Sequence, residues 1–373
     1  MSEDLWSLVY MKGDAHLATF QQTSAPLLLA FGKIPPTMYI TDYTAPTMAL
    51  GYYGDIDEEL HVDKCEKYGV SICRRFIGAG HVLYHEGSPT LVAMLNKQSY
   101  EKHWSDPETM MKEFIEGIMV GALKLLGAKN VRYVHPGDMK IGERKIGGSS
   151  YFYIASLGIY GSGGFVNLRP PKNPELLKEV LNIPPEKFLD KGVSGIEQYV
   201  VNASDEAGRK ISTRDYIEAL AKRLDEVLGV KLEERPLTED ESKALKDTID
   251  KCSKDEFKFS RSSKRRFAKI PKGYGYAKAK FKARKLITAD VLIDRNKKIA
   301  DIMICGDFMV VPPNSADILE QTLKGLDATN KELIKSKISE HYHTKGVDYL
   351  AISPEDIAKP IIDAIDRALP SVK

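Results

Sequence analysis

The sequence predicts an α+β fold in two parts. Three features carry this expectation: strand-like segments follow one another directly on either side of one long helix, a second group of strands is rich in glycine, and the composition turns abruptly basic past residue 256 before a last, compact set of strands and helices. Consecutive strands of this kind argue against the strict β-α-β alternation of a doubly wound sheet.

The elements can be read in order. Residues 37–44 and 47–53 are rich in β-branched and aromatic side chains and are separated by Ala45-Pro46, which reads as two strands and a turn. Residues 57–68 look helical and stop at Gly69; residues 70–76 then alternate as a strand does and run into Gly78-Ala79-Gly80. A strand at 91–95 precedes Ser105-Asp106-Pro107-Glu108, a capping-box pattern with proline in the first turn. Met111, Phe114, Ile115, Ile118 and Met119 keep helical spacing from there to a stop near Gly127. Strands are expected at 131–134, 138–141, 150–156 and 164–168, and helices at 174–181 and 214–228, the latter between a Ser212 cap and Gly229. From Phe257 to Lys285 there are twelve Lys and Arg and no acid. Beyond it, strands at 285–293 and 299–304 and helices at 314–324, 331–341 and 353–369 complete a small α/β unit, with His341 and His343 read as a solvated helix end. The expected organisation is a large domain over 1–255, a basic linker over 256–271 and a small domain over 272–373.

Composition narrows the function. With 54 Lys and Arg against 52 Asp and Glu, the net charge of +2 gives no global field toward nucleic acid or an anionic membrane. The longest apolar run, 25–31, is far short of the about 20 residues a bilayer span needs. The acidic start Met-Ser-Glu-Asp does not resemble an export signal, and the four cysteines, Cys65, Cys73, Cys252 and Cys305, lack the spacing of a disulfide framework or zinc site. A cytoplasmic protein is expected.

Two segments can carry chemistry. In the first, Arg74-Arg75-Phe76-Ile77-Gly78-Ala79-Gly80-His81-Val82-Leu83-Tyr84-His85-Glu86, glycines after a strand let main-chain N–H groups approach a ligand, and a guanidinium can hold a phosphate. Alternation sends Arg74 and Arg75 to opposite faces, so one of them faces the ligand. In the second, Asp138 precedes the hairpin tip Ile141-Gly142-Glu143-Arg144-Lys145-Ile146, and Gly147-Gly148-Ser149 lets backbone pass close to whatever Lys145 points at. Taken alone, a two-glycine loop is an ordinary turn and a lysine after a turn is an ordinary surface charge.

Taken together, the two segments resemble the lipoate-protein ligases of the biotin/lipoate ligase superfamily, whose marks are R-R-x-x-G-G-G-A-V-x-H-D and, some sixty residues on, a [DG]-[DR]-K-[IV]-x-G-S-A hairpin. Arg74-Arg75, Gly78, Gly80, His85-Glu86 and Arg144-Lys145-Ile146-Gly147-Gly148-Ser149 carry the match, with 47–51 and 192–196 beside them. Lys285-Leu286-Ile287 and 304–308 look like the family's accessory domain. The resemblance implies a large domain with a mixed sheet flanked by helices, fused to a small accessory domain. It implies ATP-dependent ligation of lipoate, through a lipoyl-adenylate, to a lysine of an acceptor such as a glycine-cleavage H-like protein or a dehydrogenase lipoyl domain. By the same carry-over, Lys145 is the catalytic lysine, and Arg74, Arg75, Gly78, Gly80, His81, Val82, Leu83, Gly148 and Ser149 bind the nucleotide. Asp138 stands near Mg2+, and Val70, Ile72, Phe76 and Ile77 offer an acyl slot. His81 replaces a small residue, and one extra residue before His85 shifts the register of the nucleotide contacts.

Two further readings compete. An ATP-independent octanoyl- or lipoyltransferase of the same superfamily uses a cysteine nucleophile, and Cys73 is the only cysteine near the motifs. His81-x-x-x-His85-Glu86 as a zinc site lacks a third ligand and the helix that would align it. The basic stretch is read as a solvated linker, with docking of an acidic carrier domain as its functional version; nucleic acid is not expected as a partner.

Overall fold

The computed structural model of the chain describes residues 4–135, 137–154, 156–173, 175–182, 200–350 and 352–373. The resemblance over 192–196 lies outside these described residues. Two compact units are present: Met1–Met48, Asp63–Ser71 and Leu83–Ser253 form the first; Ala49–Val62, Ile72–Val82 and Lys254–Lys373 form the second. The second unit therefore holds more than the C-terminal region. It takes in two stretches from within residues 1–255, Ala49–Val62 and Ile72–Val82.

The first unit is built on a mixed eight-stranded sheet made of β1 (Asp4–Gly13), β2 (Thr37–Tyr43), β3 (Thr90–Asn96), β4 (Val131–Val134), β5 (Asp138–Ile141), β6 (Arg144–Ile154), β7 (Ile159–Val166) and β8 (Val230–Glu234), in the order β8-β1-β2-β3-β7-β6-β5-β4. The pairs of β1 with β8 and β2 are parallel and the rest antiparallel. The helix His16–Ala30 connects β1 to β2 and packs with the helix Glu239–Cys252. It carries the apolar run from Ala25 to Ala30, with Phe31 as its C-cap; Ala25, Pro26 and Leu29 are buried while Leu27 and Phe31 are exposed. The helical stretch 107–125 and the helix Thr213–Leu228 share a second core with Leu8, Ile40, Leu91 and Leu95.

Local signals explain most of these boundaries. Helix Thr213–Leu228 begins with a Ser212–Asp215 capping box and ends on Gly229 at φ 67°, as its sequence predicts. The long helix begins one residue later than expected. The Asp106 carboxylate, not the Ser105 hydroxyl, accepts from the Thr109 amide at 2.8 Å, which places Pro107 at the first helical position. Residues Glu113–Val120 of that helix wind as a π-helix.

In the second unit, β9 (Gly275–Lys282), β10 (Leu286–Ile293) and β11 (Ile299–Gly306) form an antiparallel sheet. Helix Pro354–Ala368 packs on β9 and β10, burying Ile361 and Ile365 with Ile287 and Val291. The basic stretch 256–271 is not a solvated linker. It contributes to two short helices, Asp255–Lys258 and Ser263–Arg266, and cations of the wider basic run, Arg261, Arg266 and Lys278 among them, meet acids far away in sequence. Arg261 is 3% exposed and pairs with Asp317 and Glu320. Arg266 holds Asp301 at 2.7 Å, and Lys278 holds Asp55 at 2.9 Å. His341 is likewise no solvated helix end: it is 9% exposed and lies edge-on to Tyr349, while His343 is exposed. Among the described residues no helix is long and apolar enough to cross a membrane.

Candidate functional site

The hairpin of β5 and β6 turns at Gly142, whose φ of 57° suits glycine. A register shift between Met139 and Lys140 re-aims the strand beside it. The Lys145 ammonium lies 2.6 Å from an Asp138 carboxylate oxygen, and the two side chains are 29% and 33% exposed. Gly148 pairs with Phe165 across the sheet. A Cβ at Gly148 would stand 2.9 Å from the Phe165 ring and 3.3 Å from Lys145 Nζ, so the glycine clears the space in which the lysine lies. Gly164 is equally constrained, with a Cβ there meeting the Gly148 carbonyl oxygen at 2.0 Å. Ser149 closes the hairpin base, its amide and hydroxyl both donating to the Gly137 carbonyl at 2.7 and 2.8 Å. Behind Gly148, Phe165 meets Tyr84 edge-on at 6.5 Å, and Tyr84 stacks on Tyr43 at 4.6 Å. This aromatic group was not anticipated from sequence, because its members come from three separate strands.

Asp138, the residue expected near Mg2+, lies against Lys145. Its carboxylate is engaged by Lys145, and no group of three or more His, Cys, Asp or Glu is arranged for a metal ion among the described residues.

Leu83 and His85 continue the first motif into the first unit. His85 is 4% exposed and its Nδ1 accepts from the Gly87 amide at 3.1 Å. Burial, with Arg169 nearby, pulls its pKa down to about 4 from the usual 6.5. A depressed histidine favours the neutral folded form, so its contribution is complete above pH 6.5 and lost as pH falls through 4. Urea stability is expected to drop on acidification across that window, by about 3 kcal/mol from this one group. His85→Gln should flatten that part of the profile; an unaltered slope would contradict the assignment.

The rest of the first motif lies in the second unit. Arg74 is fully buried and does not face a ligand. Its Nε donates to Lys258 O at 3.0 Å; its Nη1 donates to the carbonyls of Gly51, Tyr52 and Gly54 at 3.0, 3.0 and 2.7 Å; its Nη2 donates to Arg261 O at 3.4 Å. The expected nucleotide contact of Arg74 is thus replaced by five main-chain carbonyls. Arg75 is 6% exposed and donates to Leu50 O at 3.3 Å and to the carbonyls of Gly78 and Gly80, so it braces the glycine loop from within. Ala79 has φ 71°, an uncommon conformation for alanine, and its amide donates to Phe308 O at 3.0 Å. Gly51 and Gly78 admit no side chain: a Cβ would fall 1.8 Å from Ala79 O and 2.0 Å from Phe308 O. His81 Nδ1 meets Glu59 at 2.9 Å, and Val82 starts the short strand Val82–Tyr84. Of the expected acyl-slot residues, Val70 belongs to the first unit, whereas Ile72, Phe76 and Ile77 belong to the second, where Phe76 packs against Phe257.

With this geometry in view, comparison with known proteins gives a match to the lipoyl protein ligase A/B catalytic domain over residues 22–225. The chain belongs to that family. It is 24% identical over 275 residues to octanoyltransferase LipM of Kyrpidia tusciae, covering 68% of this chain and 98% of the relative. It is also 24% identical over 218 residues to lipoate-protein ligase A subunit 1 of Thermoplasma acidophilum, covering 55% of this chain and 77% of that subunit. Among solved structures, the T. acidophilum bi-partite lipoate protein ligase, described with its E2 lipoyl domain, superposes with a TM-score of 0.57 at 22% identity, over 69% of this chain and 97% of that one. P. falciparum LipL1 in complex with lipoate reaches 0.68 at 15% identity, over 96% and 99% of the two chains. These likenesses establish the ligase fold, with its large mixed sheet and additional sheet-containing region.

Proposed function

We propose that the protein is a lipoate-protein ligase that adenylates lipoate with ATP and passes the lipoyl group to a lysine of a lipoyl-acceptor domain. The observation that carries this reading is Lys145, held by Asp138 in a hairpin whose glycines keep the space around its ammonium clear. Bringing a carboxylate to a triphosphate sets like charge against like, and a fixed cation at the reacting oxygens offsets that repulsion. In the first step a lipoate carboxylate oxygen attacks the α-phosphorus, the bond to the β,γ-phosphates breaks, and pyrophosphate leaves. In the second, the acceptor lysine's amine attacks the acyl carbon, AMP leaves, and the amine proton passes to solvent. Lys145 is assigned to the carboxylate and α-phosphate. Arg75 supports the nucleotide loop of Gly78, Gly80, His81, Val82 and Leu83, while Gly148 and Ser149 keep the hairpin compact. No step is assigned to a metal held by the protein. The acceptor class rests on the family and on the lipoyl domain named with the archaeal relative.

A second reading, an ATP-independent octanoyl- or lipoyltransferase, draws on the relatives named octanoyltransferase. That chemistry needs a reachable thiolate. All four cysteines are buried, and burial raises Cys65 and Cys252 to about 11. Native protein is therefore expected to resist iodoacetamide, and Cys73→Ser to retain full activity. The deciding measurement is pyrophosphate release from ATP and Mg2+ with and without lipoate, before any acceptor is added. Lipoate-dependent release is expected. Its absence, with acyl transfer from an octanoylated carrier intact, would establish the transferase.

A further inference from the structure

We infer that Arg74 is a positioning residue that makes the shape of the glycine loop depend on main chain at 258–261; its bearing on catalysis rests on the ligase reading above. Its guanidinium fork joins two parts of the second unit that are far apart in sequence. One part is the stretch 51–54, whose three carbonyls it gathers; the other is the pair Lys258 O and Arg261 O. No carboxylate lies within ion-pairing distance of Arg74 among the described residues, so this buried cation is balanced chiefly by carbonyl dipoles. A planar five-donor group suits that arrangement and a lysine ammonium does not.

The stretch that Arg74 gathers is the floor of the loop. Gly51 has no room for a Cβ because Ala79 O lies over it, and the Tyr52 amide donates to Ile77 O at 2.9 Å. Ala79 holds its positive φ between that floor and the carbonyl of Phe308. A non-glycine residue persists in such a conformation only where its surroundings over-determine it. Movement of 258–261 would release the floor, and the loop with it. Phe257, whose ring packs tilted against Phe76 with centroids 4.7 Å apart, couples the residue next to this segment to the stretch leading into the loop.

The test uses the full chain with Arg74→Lys and, should that variant fold poorly, Phe257→Ala, which leaves the fork intact but loosens its segment. Amide hydrogen exchange at 77–82 is expected to quicken at least tenfold, with exchange at 145–150 unchanged. The KM for ATP in lipoate-dependent pyrophosphate release should rise about tenfold, while lipoyl transfer from pre-formed lipoyl-adenylate stays within twofold. Unchanged exchange at 77–82, or an equal fall in both half-reactions, would overturn the inference. A wild-type protein without lipoate-dependent release would instead refute the ligase reading, and the exchange result would still decide the role of Arg74.

Discussion

Lys145→Ala is expected to lower lipoate-dependent pyrophosphate release by about 10²- to 10³-fold, the usual effect of removing one preorganised group from developing charge. The fold should be almost untouched. The Lys145–Asp138 pair is about a third exposed, and pairs of that kind contribute about 0–1 kcal/mol. Lys145→Arg is not expected to restore the rate, because a planar fork replaces a point charge at the reacting oxygens. Pyrophosphate assays paired with thermal melts separate the two effects. A Lys145→Ala protein releasing pyrophosphate at the wild-type rate would remove the lysine from the reaction.

This hairpin was legible in the sequence because its signals are local: a turn glycine, a lysine just after it, and small residues where two strands approach. Arg74 and Arg75 were legible only in part. Strand alternation correctly puts them in different surroundings, but no local rule shows that both guanidinia bind carbonyls: the acceptors of Arg74 at 51–54 and 258–261, and Leu50 O for Arg75, are far away in sequence. The strand Asp4–Gly13 and the helix His16–Ala30 gave weak signals for separate reasons. The strand's buried positions do not alternate cleanly, and the helix has no side-chain cap and carries Pro26 in its interior. The acyl-slot expectation of 70–77 stayed within one segment, whereas the aromatic group behind Lys145 gathers Tyr43, Tyr84 and Phe165 across the fold. Unit membership was least legible, because the transfer of 49–62 and 72–82 to the second unit rests on contacts such as Tyr53 stacking on Phe308 at 4.8 Å.

Arg261→Met is expected to cost about 3–5 kcal/mol, the range for removing one partner of a buried ion pair. The sequence places Arg261 in a run of positive charge, where a solvated side chain would cost almost nothing to replace. Instead its guanidinium is 3% exposed, donates to Ile304 O at 3.0 Å, and faces Glu320, itself 2% exposed, and Asp317. Methionine fills a similar volume but leaves Glu320 buried with Arg266, at 3.1 Å, as its one cationic partner among the described residues. That remaining contact sets the expectation toward the lower end of the range. Arg265 is the internal control: it is exposed and lies over the Phe259 ring at 3.5 Å, so Arg265→Ala should cost under about 1 kcal/mol. Both tryptophans, Trp6 and Trp104, belong to the first unit, so tryptophan fluorescence would follow that unit alone. Urea unfolding should therefore be read by hydrogen exchange in β9 to β11, where Arg261→Met lowers protection and Arg265→Ala does not. Equal and small effects of the two substitutions would return the whole stretch to the status of a solvated linker and remove the buried ion pair from the account of the second unit.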